Sequence, residues 1–452
     1  MMSRRPSGSC ECGRSEIGIE LEWVAASLRD AGCECMQLAD GRITKVTVDT
    51  RTDCEGALFV ALRGEKADGH DYLGEAVERG AAALLVSREY TDEAKTISKG
   101  RPVFAVSDTL VSLQALAAAY RREVGPRVVA VTGTTGKTGT KDFMASILSD
   151  RFTVHATPGN LNNHIGLPLT ILGMKGGEDV LVAEMGANHK GEIALLSGIA
   201  GPKVGVITNI GPGHLEFFGS LEGVAAAKAE LVESLPESGS AVLPADDAFF
   251  GFLSERSKGR VVSFGYDDRA DWRIEDMERD EPSGYRFSIG GMEIGLHRFG
   301  RHHVLNAAAA AVACSLLGST EGEISRGIAG TRLPDGRGVL LEIDGILFVD
   351  DSYNSNPASL EAAVDALMEM ETEGSRWLVL GDMLELGERS ADLHREAGEL
   401  CGKAGVDGIV TLGKWMVELS RAAAEQRKAP NGLSNYGDVF RLRAYLNQFL
   451  SK

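Results

Sequence analysis

The chain has 452 residues, 43% of them hydrophobic and 25% charged, an ordinary globular composition that allows about two to four domains. Its 47 Lys and Arg residues against 65 Asp and Glu residues give a net charge of −18, which disfavours binding to nucleic acid and anionic membranes. No run approaches the roughly 18 consecutive apolar residues of a membrane span, so we expect a cytoplasmic protein.

Residues 1–18 are rich in Gly, Ser and Arg and are predicted to be a disordered polar leader. Arg4-Arg5 resembles a twin-arginine export signal, but no apolar region follows it, so export is not expected. The seven cysteines include two Cys-x-Cys pairs, whose spacing is not the Cys-x₂₋₄-Cys of structural zinc sites. Free thiols are therefore the favoured interpretation, with metal binding as the alternative. The pairs are Cys10/Cys12 and Cys33/Cys35.

Residues 19–124 are predicted to form a small α/β domain, in which brief apolar strands alternate with a polar, glycine-bearing loop and a helix. Gly125-Pro126 is the expected linker to the next domain. The predicted elements are helices at residues 24–28 and 72–79 and strands at residues 58–62 and 82–86.

An apolar strand at residues 128–131 then runs into the loop Gly133-Thr134-Thr135-Gly136-Lys137-Thr138. Apolar residues at helical spacing follow, so the loop opens a helix whose N-terminal N–H groups favour anions. In such a loop Lys137 reaches the β- and γ-phosphates of a nucleoside triphosphate, and Thr138 binds Mg²⁺. Val131 stands where the longer Walker loop has a glycine, which argues against the commonest GTPases and motor ATPases. A turn without a ligand is the alternative interpretation.

Residues 125–332 as a whole are predicted to form a central ATP-binding domain with a parallel sheet and crossover helices. The segment Leu333-Pro334-Asp335-Gly336 marks the next boundary. The predicted strands lie at residues 180–183, 204–210 and 241–243, and the predicted helices at residues 221–235 and 304–317.

Three polar residues of this domain are candidates for a site. Ligands of a doubly wound sheet bind at the carboxyl ends of its strands. Glu184 and His214 follow two predicted strands, where each either binds Mg²⁺ or makes an ordinary hydrogen bond, although histidine is an unusual ligand for so hard a cation. Lys228 lies within a predicted helix, and its spacing alone predicts a solvated side chain.

Residues 333–452 repeat the α/β pattern and are predicted to form a third domain. Two polar clusters follow its strands, and each is either part of a site or a local structural feature; the first could simply cap the helix starting near Pro357. The clusters are Asp350, Asp351, Asn354 and Asn356, and Asp382, Glu385 and Glu388. The predicted elements are strands at residues 346–349, 377–380 and 409–412 and helices at residues 359–370, 394–401 and 439–450.

These motifs resemble the Mur ligase family, the ATP-dependent amide-forming enzymes of bacterial peptidoglycan precursor synthesis. The phosphate loop and His214 resemble the whole family, whereas other segments resemble the branch that adds D-alanyl-D-alanine to UDP-N-acetylmuramoyl-tripeptide. The likeness runs from about Ile19 to the end of the chain. Besides the phosphate loop, the matching segments are Asp49-Thr50-Arg51, Gly159-Asn160-Leu161-Asn162-Asn163, Gly186-Ala187-Asn188-His189, His214-Leu215-Glu216-Phe217-Phe218-Gly219, Asp350-Asp351-Ser352-Tyr353-Asn354 and Gly381-Asp382-Met383-Leu384-Glu385-Leu386-Gly387.

The resemblance implies an α/β fold with three domains: a small N-terminal nucleotide-sugar module, a central P-loop ATPase-type parallel sheet and a Rossmann-like C-terminal domain that closes over the site. It implies ATP and Mg²⁺ as cofactors, UDP-N-acetylmuramoyl-tripeptide and D-alanyl-D-alanine as substrates, and an acyl-phosphate intermediate. A monomer is expected. Members of the branch continue past the last helix, so the third domain is expected to lack its final strand and helix.

The resemblance also implies roles for individual residues. The catalytic residues would be Lys137, Lys228, His214 and Glu184, and the Mg²⁺ ligands would be Thr138, Glu184, His214 and, if carbamylated, Lys228. The ATP-binding residues would be Gly133, Thr134, Thr135, Gly136, Lys137, Thr138, Asn306, Arg337 and Asp351. The substrate-binding residues would be Asp49, Thr50 (where serine is usual), Arg51, Asn160, Asn162, Asn163, Asn354 and Asn356.

Two other functions remain open at this point. A sibling ligase that adds a diamino acid to UDP-N-acetylmuramoyl-dipeptide, or a folylpolyglutamate synthase, would share the phosphate loop and His214, but the branch segments count against both. If the shortened C-terminus prevents domain closure, the chain would be an inactive ATP-binding protein. Binding of ATP without turnover would distinguish that case.

Overall fold

The computed structural model describes residues 18–29, 34–36, 41–280, 284–332, 336–426 and 433–436. The predicted leader, the predicted helix at residues 439–450 and the side chains of both Cys-x-Cys pairs lie outside the described residues. The chain divides into two units: residues up to Val124 together with Pro168–Glu178, and Gly125–Leu167 together with the remainder from Asp179. No helix within the described ranges is long and apolar enough to cross a membrane.

The first unit is built on a five-stranded sheet with the order β2-β7-β6-β5-β4, parallel except for the β2–β7 pair, and a separate β1–β3 pair. Its inner strands are buried apolar runs, as expected for a parallel sheet covered on both faces. The predicted helices and strands are confirmed. The elements are β1 (Ile19–Glu20), α1 (Leu21–Arg29), β2 (Glu34–Met36), β3 (Arg42–Ile43), β4 (Lys45–Thr47), β5 (Ala57–Val60), α2 (Leu73–Glu78), β6 (Ala83–Ser87), α3 (Thr91–Ile97), β7 (Val103–Val106) and α4 (Thr109–Val124).

A nine-stranded sheet forms the centre of the second unit, with its described strands in the order β16-β15-β14-β13-β12-β11-β8-β10-β9. The elements of the second unit up to residue 332 are β8 (Arg127–Thr132), α5 (Lys137–Ser149), β9 (Val154–Ala156), β10 (Val180–Glu184), α7 (Glu192–Ala200), β11 (Val204–Ile207), α8 (Leu215–Phe218), α9 (Leu221–Glu233), β12 (Ser240–Pro244), α10 (Phe250–Ser254), β13 (Arg260–Gly265), β14 (Trp272–Asp280), β15 (Gly284–Ile289), β16 (Met292–Leu296), α11 (His302–Leu316) and α12 (Glu321–Gly330). Helix α6 (Gly166–Leu172) begins in the second unit, and its residues from Pro168 belong to the first.

The sheet is parallel from β9 to β14, as predicted, and then continues into the antiparallel strands β15 and β16, which the sequence analysis did not predict. After β8 the chain forms β9 and β10 on one side of β8 and then β11 on its other side, so β8 lies at a topological switch point. In register, Glu184 of β10 lies opposite Val131, and Ile207 of β11 lies opposite Thr132. The carboxyl ends of three strands therefore form one crevice, the usual ligand position of such sheets.

Helix α11 packs beneath this crevice. All residues from Ala307 to Cys314 are buried, as expected for a helix that is apolar on every side. Alanine side chains keep the helix thin, so α11 lies close to α5 in the main apolar cluster. The polar residues at its start are therefore brought to the phosphate loop that opens α5.

The last part of the second unit contains an antiparallel hairpin, β17–β18, and a three-stranded parallel sheet, β19-β20-β21. The predicted strand at residues 346–349 is confirmed. It pairs antiparallel with β17 across a tight turn at Asp344-Gly345, a pairing that the sequence analysis did not predict. The elements are β17 (Val339–Ile343), β18 (Ile346–Asp350), α13 (Pro357–Glu369), β19 (Trp377–Gly381), α14 (Ser390–Ala404), β20 (Gly408–Leu412), α15 (Met416–Gln426) and β21 (Leu433–Tyr436).

Candidate active site

The phosphate loop between β8 and α5 has a shape that requires glycine at two positions. Gly133 and Gly136 have φ angles of 145° and 79°, which side-chain-bearing residues rarely adopt. A Cβ atom on Gly133 would lie 2.0 Å from Thr208 Oγ1, and one on Gly136 would lie 2.2 Å from Asn306 Oδ1. The loop thus packs directly against the chain after β11 and against α11.

Lys137 closes over this loop. Its Nζ donates hydrogen bonds of 2.9 Å to the carbonyl oxygens of Gly133 and Thr134. Desolvation lowers the pKa of Lys137, while the negative charge of Glu184 acts in the opposite direction. The next residue, Thr138, is buried in the first turn of α5. Lys137, the predicted phosphate contact, and Thr138, the predicted metal ligand, therefore both lie at the N-terminus of α5, where backbone N–H groups favour anions.

Glu184 ends β10 and is almost completely buried. Its Oε1 accepts a 2.7 Å hydrogen bond from Asn162 Nδ2, and its backbone N–H donates to Thr157 Oγ1 at 3.0 Å. The other carboxylate oxygen, Oε2, is buried and has no hydrogen-bond partner among the described residues. A buried, unpaired carboxylate oxygen is costly, so this atom is suited to a cationic ligand.

The predicted substrate-binding asparagines of the loop before α6 have different roles in the structure. Asn162 contacts Glu184, whereas Asn163 Oδ1 accepts the backbone N–H groups of Ile165 and Gly166 and so caps α6. Asn160 is exposed, and its carbonyl oxygen accepts the Asn162 N–H at 2.8 Å. Contact of these residues with a substrate stays a prediction.

His214 begins the short helix α8 in a left-handed backbone conformation with φ of 51°. Its Nδ1 lies 2.5 Å from Glu385 Oε2, a close polar contact in which the hydrogen-bond alignment is poor. Burial lowers the pKa of His214, and Glu385 opposes that shift. The preceding segment is joined to the phosphate loop, because Thr134 Oγ1 accepts the Gly211 N–H at 2.9 Å.

The spacing-based prediction that Lys228 is solvated is wrong, because this residue is only 2% exposed. Burial lowers its pKa from 10.5 to about 7, and the nearby charge of Lys137 adds to the effect. Its Nζ lies 5.5 Å from the centre of the Phe218 ring. The face of helix α9 that carries Lys228 packs toward the crevice, and the spacing of residues along the helix did not indicate this orientation.

Asn306 and Arg337 complete the predicted ATP-binding set on the side of α11. Asn306 contacts Gly136 as described above, and the Arg337 guanidinium lies 4.1 Å from the centre of the Tyr353 ring. Asp351 is largely buried, which raises its pKa, while the Gly338 N–H and the charge of Arg337 act against that shift. These residues line the same cavity as the phosphate loop.

Two histidines at the start of α11 were missed by the sequence analysis. Burial lowers the pKa of His302 to about 4 and holds that of His303 well below its usual range. Both Nδ1 atoms are buried without a hydrogen-bond partner in the described part of the chain. Their rings lie 4.1 Å apart and line the cavity. The available signal was a pair of adjacent histidines, four and three residues before Asn306.

The polar clusters of the C-terminal region divide into structural and site residues. Asn356 caps α13 in a reciprocal arrangement with Ser359, which supports the capping alternative. Asp382 accepts the backbone N–H groups of Lys414, Trp415 and Met416 at the start of α15. Of the second cluster, Glu385 contacts the site through His214, and Glu388 is exposed.

The predicted uridine-binding triplet lies in the first unit. Arg51 forms a bidentate contact with Asp49, and this contact lowers the pKa of Asp49 to about 2. Thr50 is buried. The exposed guanidinium of Arg51 is the part of the triplet that can meet an anionic ligand.

In the second unit, the site residues surround one cavity of about 600 Å³. Phosphate-loop, strand-end and C-terminal-region residues meet there although they are far apart in the sequence. The predicted residues that line it are Thr134, Thr135, Gly136, Lys137, Thr138, Asn162, Asn163, Glu184, His214, Lys228, Asn306, Arg337, Asp351, Asn354 and Asn356.

The donor set of this cavity fits Mg²⁺. No group of three or more His, Cys, Asp or Glu side chains within the described ranges is arranged to hold a metal ion. Mg²⁺ bound with a nucleotide does not require one, because it usually takes one or two carboxylates and completes its shell with phosphates and water. Two groups match that sparse requirement: Glu184 Oε2, which has no partner among the described residues, and the buried Thr138 in the phosphate loop.

Models of known families match three consecutive stretches of the chain. They are the Mur ligase family catalytic domain at residues 42–121, the Mur ligase middle domain at residues 131–314 and the Mur ligase glutamate ligase domain at residues 336–444. The expectation of a three-domain α/β architecture is confirmed by these matches.

Curated relatives agree with the predicted branch. The chain is 38% identical to the UDP-N-acetylmuramoyl-tripeptide--D-alanyl-D-alanine ligase of Bacillus subtilis (strain 168), over 82% of this chain and 80% of that protein. It is 39% identical to the enzyme of the same name from Escherichia coli (strain K12), over 86% of this chain and 85% of that protein.

Solved structures give the same result. The fold is similar to a crystal structure of MurF from Acinetobacter baumannii with a TM-score of 0.85 and 30% identity, covering 96% of this chain and 94% of that one. A MurF ligase from Thermotoga maritima in complex with ADP has a TM-score of 0.76 and 32% identity, covering 89% of this chain and 91% of that one. Since these likenesses and the three domain models extend along most of its length, the chain belongs to the Mur ligase family.

Proposed function

We propose that this ATP-dependent ligase joins D-alanyl-D-alanine to the terminal carboxylate of UDP-N-acetylmuramoyl-tripeptide, releasing ADP and phosphate. The observation that carries the proposal is the single cavity in which the phosphate loop, Glu184, His214 and Lys228 meet. The relatives named for this reaction, at 38% and 39% identity, favour it over the sibling ligase. The proposed reaction belongs to peptidoglycan precursor synthesis, and its use of ATP supports a cytoplasmic location.

ATP would bind across the phosphate loop. The backbone N–H groups of the loop and the start of α5 would hold the phosphates, and Lys137 would exchange its two carbonyl contacts for the β- and γ-phosphate oxygens. Asn306 would contact the adenine side of the nucleotide. Arg337 and Asp351 would meet the nucleotide from the C-terminal region, since both line the same cavity.

Mg²⁺ would be held by Thr138, Glu184, His214 and Lys228, and when bound it would neutralise charge on the transferring phosphoryl oxygens. Lys228 would take part as a carbamate, formed when its neutral amine adds to CO₂ and loses a proton. A pKa of about 7 supports this step, because a substantial fraction of the amine is then neutral near pH 7. The resulting carboxylate is an oxygen ligand of the kind that Mg²⁺ prefers.

The reaction would proceed in two steps. A carboxylate oxygen of the tripeptide attacks the γ-phosphorus, and the bond to the β-phosphate oxygen breaks, which gives an acyl phosphate and ADP. The amine of D-alanyl-D-alanine then attacks the acyl carbon, phosphate leaves, and the amine nitrogen loses a proton. Lys137 stabilises charge during the first step. Exclusion of water protects the acyl phosphate, which gives closure of the C-terminal domain a chemical purpose.

The remaining predicted contacts concern the two substrates. Asp49, Thr50 and Arg51 would bind the uridine nucleotide, and the exposed Arg51 guanidinium supports contact with its phosphates. The peptide substrates would meet Asn160, Asn162, Asn163, Asn354 and Asn356. These assignments correspond to domains at residues 19–124, 125–332 and 333–452, with the protein acting as a monomer.

Phosphate release from ATP tests the function directly. We expect release that depends on both UDP-N-acetylmuramoyl-tripeptide and D-alanyl-D-alanine. Release only with the dipeptide precursor and a diamino acid would assign the chain to the sibling ligase. Tight ATP binding without release under either condition would identify an inactive ATP-binding protein.

A further inference from the structure

A loop of the C-terminal region, residues 385–387, contacts residues 214–216 along its length. Glu385 Oε2 lies 2.5 Å from His214 Nδ1. The next residues, Leu386 and Leu215, belong to one buried apolar cluster. A Cβ atom on Gly387 would lie 3.1 Å from the Cα of Glu216, so the two backbones approach closely there. The Glu385 carboxylate is thus brought to His214 by an extended contact.

Both residues of this contact have unusual backbone conformations. The φ angles are 51° at His214 and 60° at Glu385, in the left-handed region that residues other than glycine rarely occupy. Such strain persists only where surrounding contacts enforce it, and it is concentrated at ligand-binding and catalytic sites. Two strained residues in direct contact therefore mark this pair as more than an incidental surface contact.

Each side of the pair is held rigidly by its own surroundings. In the C-terminal region, the Met383 N–H donates to the buried His394 Nε2 at 3.0 Å, and Ser390 Oγ donates to the Gly387 carbonyl at 2.7 Å. On the other side, the chain before His214 is joined to the phosphate loop, because the Thr134 N–H donates to the Asn209 carbonyl at 3.1 Å. The contact of Glu385 with His214 therefore connects the Glu385 loop to the phosphate loop.

We propose that Glu385 is a positioning residue that orients the His214 imidazole for its role in the nucleotide site. This inference rests on the proposed function. A ring nitrogen bound to a carboxylate fixes the orientation of the imidazole and leaves Nε2 for the ligand, as in metal sites generally. Both side chains are partly exposed, and polar contacts of that kind contribute little to stability, so orientation is the better explanation of the contact.

The test compares Glu385→Gln with Glu388→Gln, a matched change at an exposed glutamate of the same loop. We expect Glu385→Gln to lower kcat for phosphate release about 10- to 100-fold with little change in KM for ATP, while Glu388→Gln retains activity. In the double variant His214→Asn/Glu385→Gln, the second change should add no further loss, because Glu385 acts through His214.

A second readout uses ¹⁵N-histidine spectra of the protein without nucleotide or metal. Glu385→Gln should shift the ring-nitrogen signals of His214, which are identified by their loss in His214→Asn, and Glu388→Gln should leave them unchanged. Unchanged signals and kcat in Glu385→Gln, or losses that multiply in the double variant, would overturn the proposal. If the native enzyme releases no phosphate, the proposed function fails, and the ring signals still decide whether Glu385 positions His214.

Discussion

Asn162 donates a 2.7 Å hydrogen bond to one carboxylate oxygen of Glu184 and leaves the other oxygen, which is buried and has no partner in the part of the chain that the structure describes, for a ligand. The backbone of Asn162 is held in place as well, because its backbone carbonyl oxygen accepts a hydrogen bond from the Gly186 N–H at 2.9 Å. The contact fixes which oxygen of Glu184 remains available to the nucleotide site.

Replacement of Asn162 tests that relationship. Asn162→Ala removes a hydrogen bond to a charged group, and we expect kcat/KM to fall about 10- to 100-fold. Asn162→Asp should be worse, because it brings a second negative charge within hydrogen-bonding reach of Glu184 and raises the proton affinity of the pair. Steady-state phosphate release measures both variants. Equal activity of Asn162→Asp and the native enzyme would show that this contact does not matter.

Gly136→Ala should weaken ATP binding at least about tenfold, because the new methyl group would clash with the Asn306 side chain. Alanine would also be strained in the left-handed backbone conformation of this position. The matched control is Gly100→Ala, where φ is 87° but nothing lies within 4 Å of the added Cβ. Both changes should cost about 1–2 kcal/mol of unfolding free energy from backbone strain. Calorimetric titration with ATP separates them, and normal binding by Gly136→Ala would contradict the geometry.

Lys228 should make stability depend on pH. The pKa of Lys228 is about 7 in the folded protein, whereas the ordinary value of 10.5 applies to the unfolded chain. Between pH 7 and 10.5 the unfolded chain therefore binds more protons at this residue than the folded protein does. Stability contributed by this site therefore rises as pH increases above 7, because below that pH the folded protein must bury a charged amine. Lys228→Met, which carries no charge, should remove this dependence.

The measurement is urea unfolding of both proteins between about pH 6 and 9 in CO₂-free buffer, which prevents carbamylation. We expect the variant's advantage in unfolding free energy to be largest at the acidic end and to shrink as pH rises. A difference that stays constant across this range would mean that the Lys228 pKa is not lowered.

Asp382 should be important for stability and not for ATP binding. It accepts three backbone N–H groups at the start of α15, so Asp382→Ala should cost about 1–2 kcal/mol of unfolding free energy. Asp392→Ala, at an exposed aspartate in the first turn of α14, should change it by less than about 0.5 kcal/mol. Equal stabilities of the two variants, or loss of ATP binding in the first, would refute the structural role.

Much of the fold is encoded in short stretches of sequence. The inner strands β5, β6 and β10 are buried apolar runs, and the glycines of the phosphate loop occupy conformations that few other residues tolerate. The pairing of strands was less predictable. Strands β15 and β16 and the hairpin β17–β18 are antiparallel, and their orientation depends on turns and on partners that apolar periodicity does not specify.

The candidate site shows the same division. Lys137, Thr138, Glu184 and His214 were identifiable because a loop motif and strand ends have local sequence signals, and β8, β10 and β11 bring them to one crevice. The burial of Lys228, the lack of a partner for His303 Nδ1 among the described residues and the contact of Glu385 with His214 appear only in the folded chain. Burial, desolvation and ion pairing depend on residues far apart in sequence, so they are set when the sheet and helices pack together.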